Sequence, residues 1–542
     1  MLIIWKKGGV LLSNQSSQIF MKGALTLTVA ALAVKVLSAV YRIPFQNIVG
    51  DVGFYIYQQV YPIYGIAVAF STYGFPVAVS KLIAQGEEKD KSRILTASFV
   101  FLSLLGVLLF LALYFQAKTI AAVMGDPKLA RLIQIISLSF LLMPFLSVAR
   151  GLFQGKGDMV PTAVSQVTEQ LMRVGAILGF SYWFIHLGSN LYTVGGAVLF
   201  GSIMGGLASS IVLIFFLKHR RESIFYVHRF SFGEMERRLI QTLVLEGVAI
   251  CLSSMMLVLF QFMDALSLYS SLVDSGISKS AAKVAKGVYD RGQPLLQLGT
   301  VVATSFSLTL VPLISASYQE SDYESVHKSV RIAVKISFVI GLAAMVGLLN
   351  ILVPTNIMLF ENGSGSNILA FFSAGILLSS MALTFSGILQ GVGSPYFPAI
   401  VLFIGLVVKF VGNLYLVHMC GAVGAAFSTV LSLLLTSLIL FLKIKTLMRI
   451  QVLPWSSVGQ SLLAAAAMTV LLQVWSFLFR CLDFSGTRLQ AALEAVGGVF
   501  LGGTVFLVLI LKMKIFSKEE LVLFPFGRKL VQISEKLNGG NV

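Results

Sequence analysis

Two cations sit inside the first long apolar stretch of the chain, roughly residues 25–45: Lys35 and Arg42. On a helix they point the same way, about two turns apart. A cation facing hydrocarbon is costly, so the side carrying both is expected to look into protein or a water-filled cavity. There an arginine offers directional, paired hydrogen bonds to an anion and a lysine a compact point charge. The plainer alternative is that Lys35 pairs with a helix neighbour and Arg42 snorkels to the membrane interface. No metal chemistry suggests itself. Cys251, Cys420 and Cys481 are widely spaced, and His186, His219, His228, His327 and His418 lack ligand spacing.

The elements that must hold these cations are membrane helices. Of 542 residues, 57% are hydrophobic and 12% charged, against about 25% charged in a soluble domain. Repeated long apolar runs predict an all-α polytopic membrane protein, not an outer-membrane barrel. Fourteen spans are expected, near 25–45, 56–80, 94–115, 132–152, 160–184, 192–217, 239–263, 295–317, 332–353, 367–389, 396–417, 421–442, 459–479 and 491–511. With the N-terminus inside, most of the 40 Lys and Arg fall on the inner side, which predicts cytoplasmic termini and an even number of crossings. The net charge of +17 is then explained by inner loops, and nucleic acid is not expected as a partner. The start of the chain, with Lys6 and Lys7, reads as a short tail and not a cleaved signal.

The sequence repeats itself. Phe75-Pro76-Val77-Ala78-Val79-Ser80 echoes Val311-Pro312-Leu313-Ile314-Ser315-Ala316. Gln154-Gly155-Lys156-Gly157 echoes Gln390-Gly391-Val392-Gly393 at the same separation. Two pseudo-symmetric six-helix lobes follow, in parallel orientation, with a substrate path between them. The expected organisation is a tail (1–24), an N-lobe (25–217), a basic cytoplasmic linker (218–238), a C-lobe (239–442), two additional spans (459–511) and a second tail (512–542). The long connection 264–292 distinguishes the C-lobe. Within it, 278–289 is predicted to form an amphipathic helix, read either as a solvated loop or as a lid.

Lys22-Gly23-Ala24, Leu37-Ser38-Ala39-Val40-Tyr41-Arg42-Ile43-Pro44, Ile48-Val49-Gly50, Gly53 and Gly74-Phe75-Pro76-Val77-Ala78-Val79-Ser80-Lys81-Leu82 carry a family resemblance. The chain resembles the polysaccharide biosynthesis and export branch of the multidrug/oligosaccharidyl-lipid/polysaccharide (MOP) transporter superfamily. Within that branch it is similar to the stage V sporulation protein B group of Gram-positive bacteria, which itself resembles the lipid II flippases. The resemblance implies a V-shaped, MATE-like pair of lobes around a cationic cavity that opens to each side in turn. It implies an undecaprenyl-pyrophosphate-linked saccharide as substrate, its headgroup in the cavity and its polyprenyl tail in lipid. The 459–511 pair is similar to helices that form a groove for that tail. Arg42 looks like an arginine near the outer end of the first helix of the family, and Arg291 like a cavity arginine.

A diphosphate needs partial charge compensation. The candidate positions are Lys35, Arg42, Arg173, Arg291 and Lys409. Arg173 also admits a structural reading, as an ion pair with Glu169 one turn earlier, and Lys409 as a snorkelling residue. Glu246 and Asp264 are the candidates for ion coupling, by Na+ or proton; membrane potential is another driving force. The function expected is an inner-to-outer-leaflet flippase in a bacterial plasma membrane, working as a monomer and without enzymatic chemistry. The alternative is a cation-coupled multidrug exporter of the same superfamily, which carboxylates in the cavity would serve better. A glycosyltransferase would need catalytic acids on a substantial outer loop, and the long connection is instead rich in Lys.

Overall fold

The computed structural model describes residues 14–87, 90–224, 233–449, 451–481, 487–522, 524 and 527–538. The first part of the expected tail and residues 225–232 of the basic linker lie outside the described residues. No strand occurs among the described residues.

The apolar runs become helices because hydrocarbon offers no partner for a backbone N–H or C=O. In the first half these are α1 (Asn14–Val40), α2 (Arg42–Ala69), α3 (Phe75–Gln85), α4 (Lys91–Val123), α5 (Ala130–Ser137), α6 (Ser139–Gly155), α7 (Val160–His186) and α8 (Leu191–His219). Next come α9 (Glu234–Thr242), α10 (Val248–Ser254), α11 (Met256–Asp274), α12 (Lys279–Asp290), α13 (Gly292–Leu308), α14 (Val311–Gln319), α15 (Tyr323–Asn350) and α16 (Leu352–Phe360). The remainder are α17 (Ser366–Gly391), α18 (Tyr396–Cys420), α19 (Ala422–Met448), α20 (Trp455–Cys481), α21 (Arg488–Lys512), α22 (Lys518–Leu521) and α23 (Gly527–Leu537).

Helical hydrogen bonds run through Tyr41, which donates to Leu37 and accepts from Phe45, so Lys35 and Arg42 do share one continuous helix. The break comes at Gly50, whose φ of 68° suits a residue without a side chain. Two π-helical turns interrupt the helices further on, at Phe70–Gly74 and Leu243–Gly247.

Eleven helices among the described residues are long and apolar enough to cross a membrane, so the protein is a multi-pass membrane protein. The expected fourteen crossings differ from this number for physical reasons. Val29–Gln85 is one helical run containing two expected spans. The 27-residue α7 is long enough, but Gln166, Glu169, Gln170 and Arg173 dilute its apolar character. The expected span 295–317 is split between α13 and α14, and 239–263 between α10 and α11.

The connection 264–292 also differs from expectation. Its first part is helical to Asp274 because Ala265, Leu268, Tyr269 and Leu272 continue the buried face of α11. Asp264 is therefore buried within a helix. The predicted amphipathic helix is present as α12, with the Ser278 side chain capping its start. It packs against α2 instead of standing free.

Helices α1–α8 pack mainly on one another, and α11, α13, α15 and α17–α19 form a second group. The two groups meet where α2 touches α11 and α12, and where α1 touches α13. Helices α20 and α21 pair and lean on α15 and α16. At one end of the molecule lie the pairs Asp51–Arg291 and Asp126–Lys283; at the other lie Lys81–Glu246, Arg93–Glu236 and Lys156–Glu222. These are called below the α12 end and the α3 end.

Candidate functional site: a cationic cavity between the halves

Between the groups lies a cavity of 330 Å³, at the small end of the roughly 300–1,000 Å³ usual for ligand sites. It reaches from Tyr61 and Arg173 in mid-molecule to Tyr73, Thr304 and Gln390 toward the α3 end. Lys35 and Arg173 line it, with Glu169 as the one carboxylate.

An aromatic roof stands over this end, with Tyr61 as its ring on the cavity wall. Tyr57 and Tyr61 meet at a tilt with centroids 5.5 Å apart, Tyr61 and Tyr64 at 6.3 Å, and Phe45 meets Tyr57 edge-on at 5.0 Å. The three tyrosines recur at helical spacing on α2 beyond Gly50, which places them on one face. The Arg42 guanidinium lies 4.4 Å from the Tyr61 ring centre, within range for a cation–π contact. It is 1% exposed, yet its Nε and Nη1 have no hydrogen-bond partner among the described residues. Arg173 sits between rings in the same way, 5.1 Å from Tyr64 and 5.8 Å from Tyr41. It donates to Ser38 Oγ at 3.1 Å and to Gln170 Oε1, while its Nε is unpartnered. Aromatic faces hold a cation without consuming its N–H groups, so directional donors remain for an anion.

Arg150 behaves differently. It donates to Glu169 at 2.7 Å, Ser209 at 2.8 Å, the Ser71 carbonyl and Thr72 Oγ1 at 2.9 Å each, and Ser165 at 3.2 Å. Its donors are used, and it is a structural clasp joining α6, α7, α8 and the first π turn. The alternative reading of Arg173, an ion pair with Glu169 within α7, is not met: Glu169 pairs with Arg150, which reaches that carboxylate from the neighbouring helix.

The other sequence candidates lie elsewhere. Arg291 is at the α12 end, where it grips Asp51 through contacts of 2.7, 2.9 and 3.1 Å and Asn362 at 2.8 Å. Beside it, Lys283 pairs with Asp126 at 2.9 Å, and Asp126 also accepts from Tyr55 and Tyr192. Both ion pairs join the first half to the second and close that end of the seam. Gln59 adds a third bridge, donating to the Ala265 carbonyl at 3.1 Å.

Lys409 is inside the second group, off the cavity wall, with Asp264 at 2.5 Å. Oxygens of Thr429 (2.6 Å), Ala425 (3.0 Å), Asn413 (3.2 Å) and Tyr289 (3.3 Å) complete its surroundings. Asp264 in turn accepts from Tyr289 and Asn413. Glu246 is at the α3 end, partly exposed and 2.6 Å from Lys81. Among the described residues, no group of three or more His, Cys, Asp or Glu could hold a metal ion.

Sequence reasoning overlooked Arg150, Asp51, Asp126 and Lys283. Asp51 directly follows Gly50, a break where a charge has reason to sit, but its partner is far along the chain and no local pattern reveals it.

The sequence profile described as "Polysaccharide biosynthesis protein" matches residues 20–318, more than half of the chain. The chain belongs to the polysaccharide biosynthesis protein family. A second profile, MatE, matches residues 249–415 of this family member. The uncharacterized membrane protein YabM of Bacillus subtilis (strain 168) is 43% identical over 526 residues, covering 96% of this chain and 98% of YabM. The lipid II flippase MurJ of the same organism is 26% identical over 528 residues, covering 90% and 94%. A solved structure of lipid II flippase MurJ in an inward closed conformation superposes with a TM-score of 0.63 at 16% identity, over 91% of this chain and 98% of that one. That likeness establishes the fold. This polysaccharide biosynthesis family member is a multi-pass membrane protein with the fold of that flippase.

Proposed function

We propose that the protein is a flippase that moves a polyprenyl-pyrophosphate-linked saccharide from the inner to the outer leaflet of a bacterial plasma membrane by alternating access. The observation that carries this reading is the pair Arg42 and Arg173: buried guanidinium groups, seated on tyrosines, with N–H donors left over, Arg173 on the wall of an inter-half cavity and Arg42 behind it on the lining ring of Tyr61. Lys35 is the second cation on the wall. A diphosphate supplies the acceptors these groups lack. The likeness to a lipid II flippase over nearly the whole chain supports the same substrate class. In this reading both termini are cytoplasmic, the α3 end faces inward, and the α12 end is the outer gate.

The cavity must bind the headgroup differently in its two states, since equal affinity shifts nothing. The outer gate provides two arrangements: its ion pairs are made when that end is shut and must be exchanged for water when it opens. As for coupling, Asp264 and Glu246 are each paired with a lysine, so neither offers a carboxylate without a counter-charge.

The test is translocation of labelled lipid II in proteoliposomes, wild type beside Arg42→Ala and Arg173→Ala. Transfer by the wild type and loss of at least ten-fold in both variants, with normal insertion, is expected. If the wild type moves no lipid-linked saccharide but exports a cationic dye against an ion gradient, the multidrug reading replaces this one.

A further inference from the structure

The cavity has two unlike walls. Every ionisable side chain on it except the phenols belongs to α1 or α7: Lys35, Glu169 and Arg173. The wall from the second half carries amides, hydroxyls and apolar groups but no charge. On α13, Gln297, Thr300 and Thr304 follow one another at the spacing of a single helix face, and on α17 so do Ser386 and Gln390.

The hydrogen-bonding sense of this wall is also fixed. Thr300 gives its hydroxyl hydrogen to the carbonyls of Leu296 and Gln297, at 2.9 and 3.0 Å. Ser253 and Ser254 give theirs to Ala249 at 3.0 Å and Cys251 at 2.8 Å. A hydroxyl that donates to its own helix presents lone pairs to whatever lies beyond it. The Gln297 carbonyl oxygen is buried without a donor among the described residues. The first half therefore carries all the charge of the cavity, Lys35 and Arg173 beside the single carboxylate Glu169, and the second carries neutral hydroxyl acceptors together with the amides of Gln297 and Gln390, which both accept and donate.

We infer that the second-half wall, centred on Gln297 and Thr300 of α13, is the saccharide-recognition face, and that it orients the substrate across the cavity. This rests on the flippase reading above. The diphosphate, all acceptor and anionic, lies against Arg173 and Lys35, with Arg42 behind the Tyr61 ring. The first sugar residues, whose hydroxyl and acylamino groups are donors, lie against α13 and α17. A neutral wall selects a headgroup that is uncharged beyond its diphosphate at this contact, since a buried charge there would meet no counter-ion. Gln297 and Thr300 are thus the specificity-determining positions, and the N-terminal cations bind without reading the sugar.

The experiment compares two probes on the full-length protein in nanodiscs: undecaprenyl diphosphate, and the same diphosphate bearing an N-acetylated disaccharide. Gln297→Leu and Thr300→Val are each expected to weaken the glycosylated probe about five- to ten-fold, the size of one lost hydrogen bond, and to weaken the bare diphosphate less than two-fold. Thr300→Ser, which keeps the hydroxyl, is expected to restore the preference and so to separate recognition from packing. Arg173→Gln is expected to weaken both probes alike. Equal weakening of both probes by Gln297→Leu and Thr300→Val, or an unchanged ratio, overturns the assignment of this wall while leaving the flippase reading intact. Failure of the wild type to bind either probe overturns both.

Discussion

Arg173 on α7 and Lys409 on α18 occupy corresponding places in the two halves. Their separation along the chain equals that of Pro76 and Pro312, and of Gln154 and Gln390. Both are buried, yet their surroundings are opposite. Lys409 is ringed by five oxygens, one of them a carboxylate oxygen of Asp264. Arg173 faces tyrosine rings, a serine and a glutamine, and its Nε has no partner. One repeat unit thus neutralised its cation and made it part of the scaffold, while the other left its cation electrically open beside a cavity. What a buried charge does is decided by whether its neighbours are counter-ions or π faces.

The comparison can be broken most forcefully at Lys409. Lys409→Ala leaves Asp264 buried without its counter-charge, and losing one partner of a buried pair costs about 3–5 kcal/mol. A large fall in the thermal midpoint in detergent is expected, mostly recovered in Lys409→Met/Asp264→Leu. A single mutant as stable as the wild type would mean the cage does not hold this half together, and the contrast with Arg173 would collapse.

The α12 end is tested by a different readout, the population of the shut state. Arg291→Gln leaves Asp51 without its bidentate partner in the shut state only. That state is expected to lose several-fold in population, read as increased labelling of a cysteine introduced on the cavity wall by a reagent added from the α12 side. The reversed pair Asp51→Arg/Arg291→Asp is expected to recover part of the seal, and unchanged labelling in Arg291→Gln would show the seal lies elsewhere. The open cations act on binding instead of on stability. Arg42→Ala and Arg173→Ala each remove charge-assisted bonds worth about 1.5–3 kcal/mol to a bound diphosphate, so translocation is expected to fall about ten- to one-hundred-fold. Their thermal midpoints are expected to move far less than that of Lys409→Ala, because neither Arg42 nor Arg173 abandons a buried counter-ion. A midpoint falling as far as in Lys409→Ala would make them scaffold too.

How much of this was legible in the sequence follows from the range of the forces. Lys35 and Arg42 could be read as sharing a helix because helical phase is local, and the backbone through Tyr41 keeps that phase. The cap at Ser278 and the amphipathic helix after it were equally local. The two-lobe plan was visible because repetition is a property of the string itself. The pairings were not visible. Arg291 with Asp51, Lys283 with Asp126, and Arg150 with Glu169 join residues from different helices, and only packing decides which carboxylate a cation meets. For that reason Arg150, inside the expected span 132–152, does not stand out in the sequence, and the partner offered there for Glu169 is the nearer Arg173. Lys409 and Arg173 both looked like cavity candidates for the same reason: what separates them is Asp264, whose position one repeat earlier is the uncharged Thr28.

The weakest expected effect is at the Lys81–Glu246 pair, and it sharpens the comparison from the other side. These side chains are 46% and 29% exposed, so water and salt screen them, and such pairs contribute about 0–1 kcal/mol. Glu246→Gln is therefore expected to change translocation less than two-fold and to leave its ion dependence as it was, measured with Na+ and pH gradients imposed separately. A Glu246→Gln protein that loses dependence on one gradient would identify this carboxylate as the coupling group despite its lysine. It would then be the exception to the rule drawn from Lys409, that a counter-ion takes a buried or half-buried charge out of service. With no such loss, the two halves divide the work by charge environment alone: paired groups hold the scaffold and the gates, and the unpaired arginines under the tyrosine roof are left to meet the substrate.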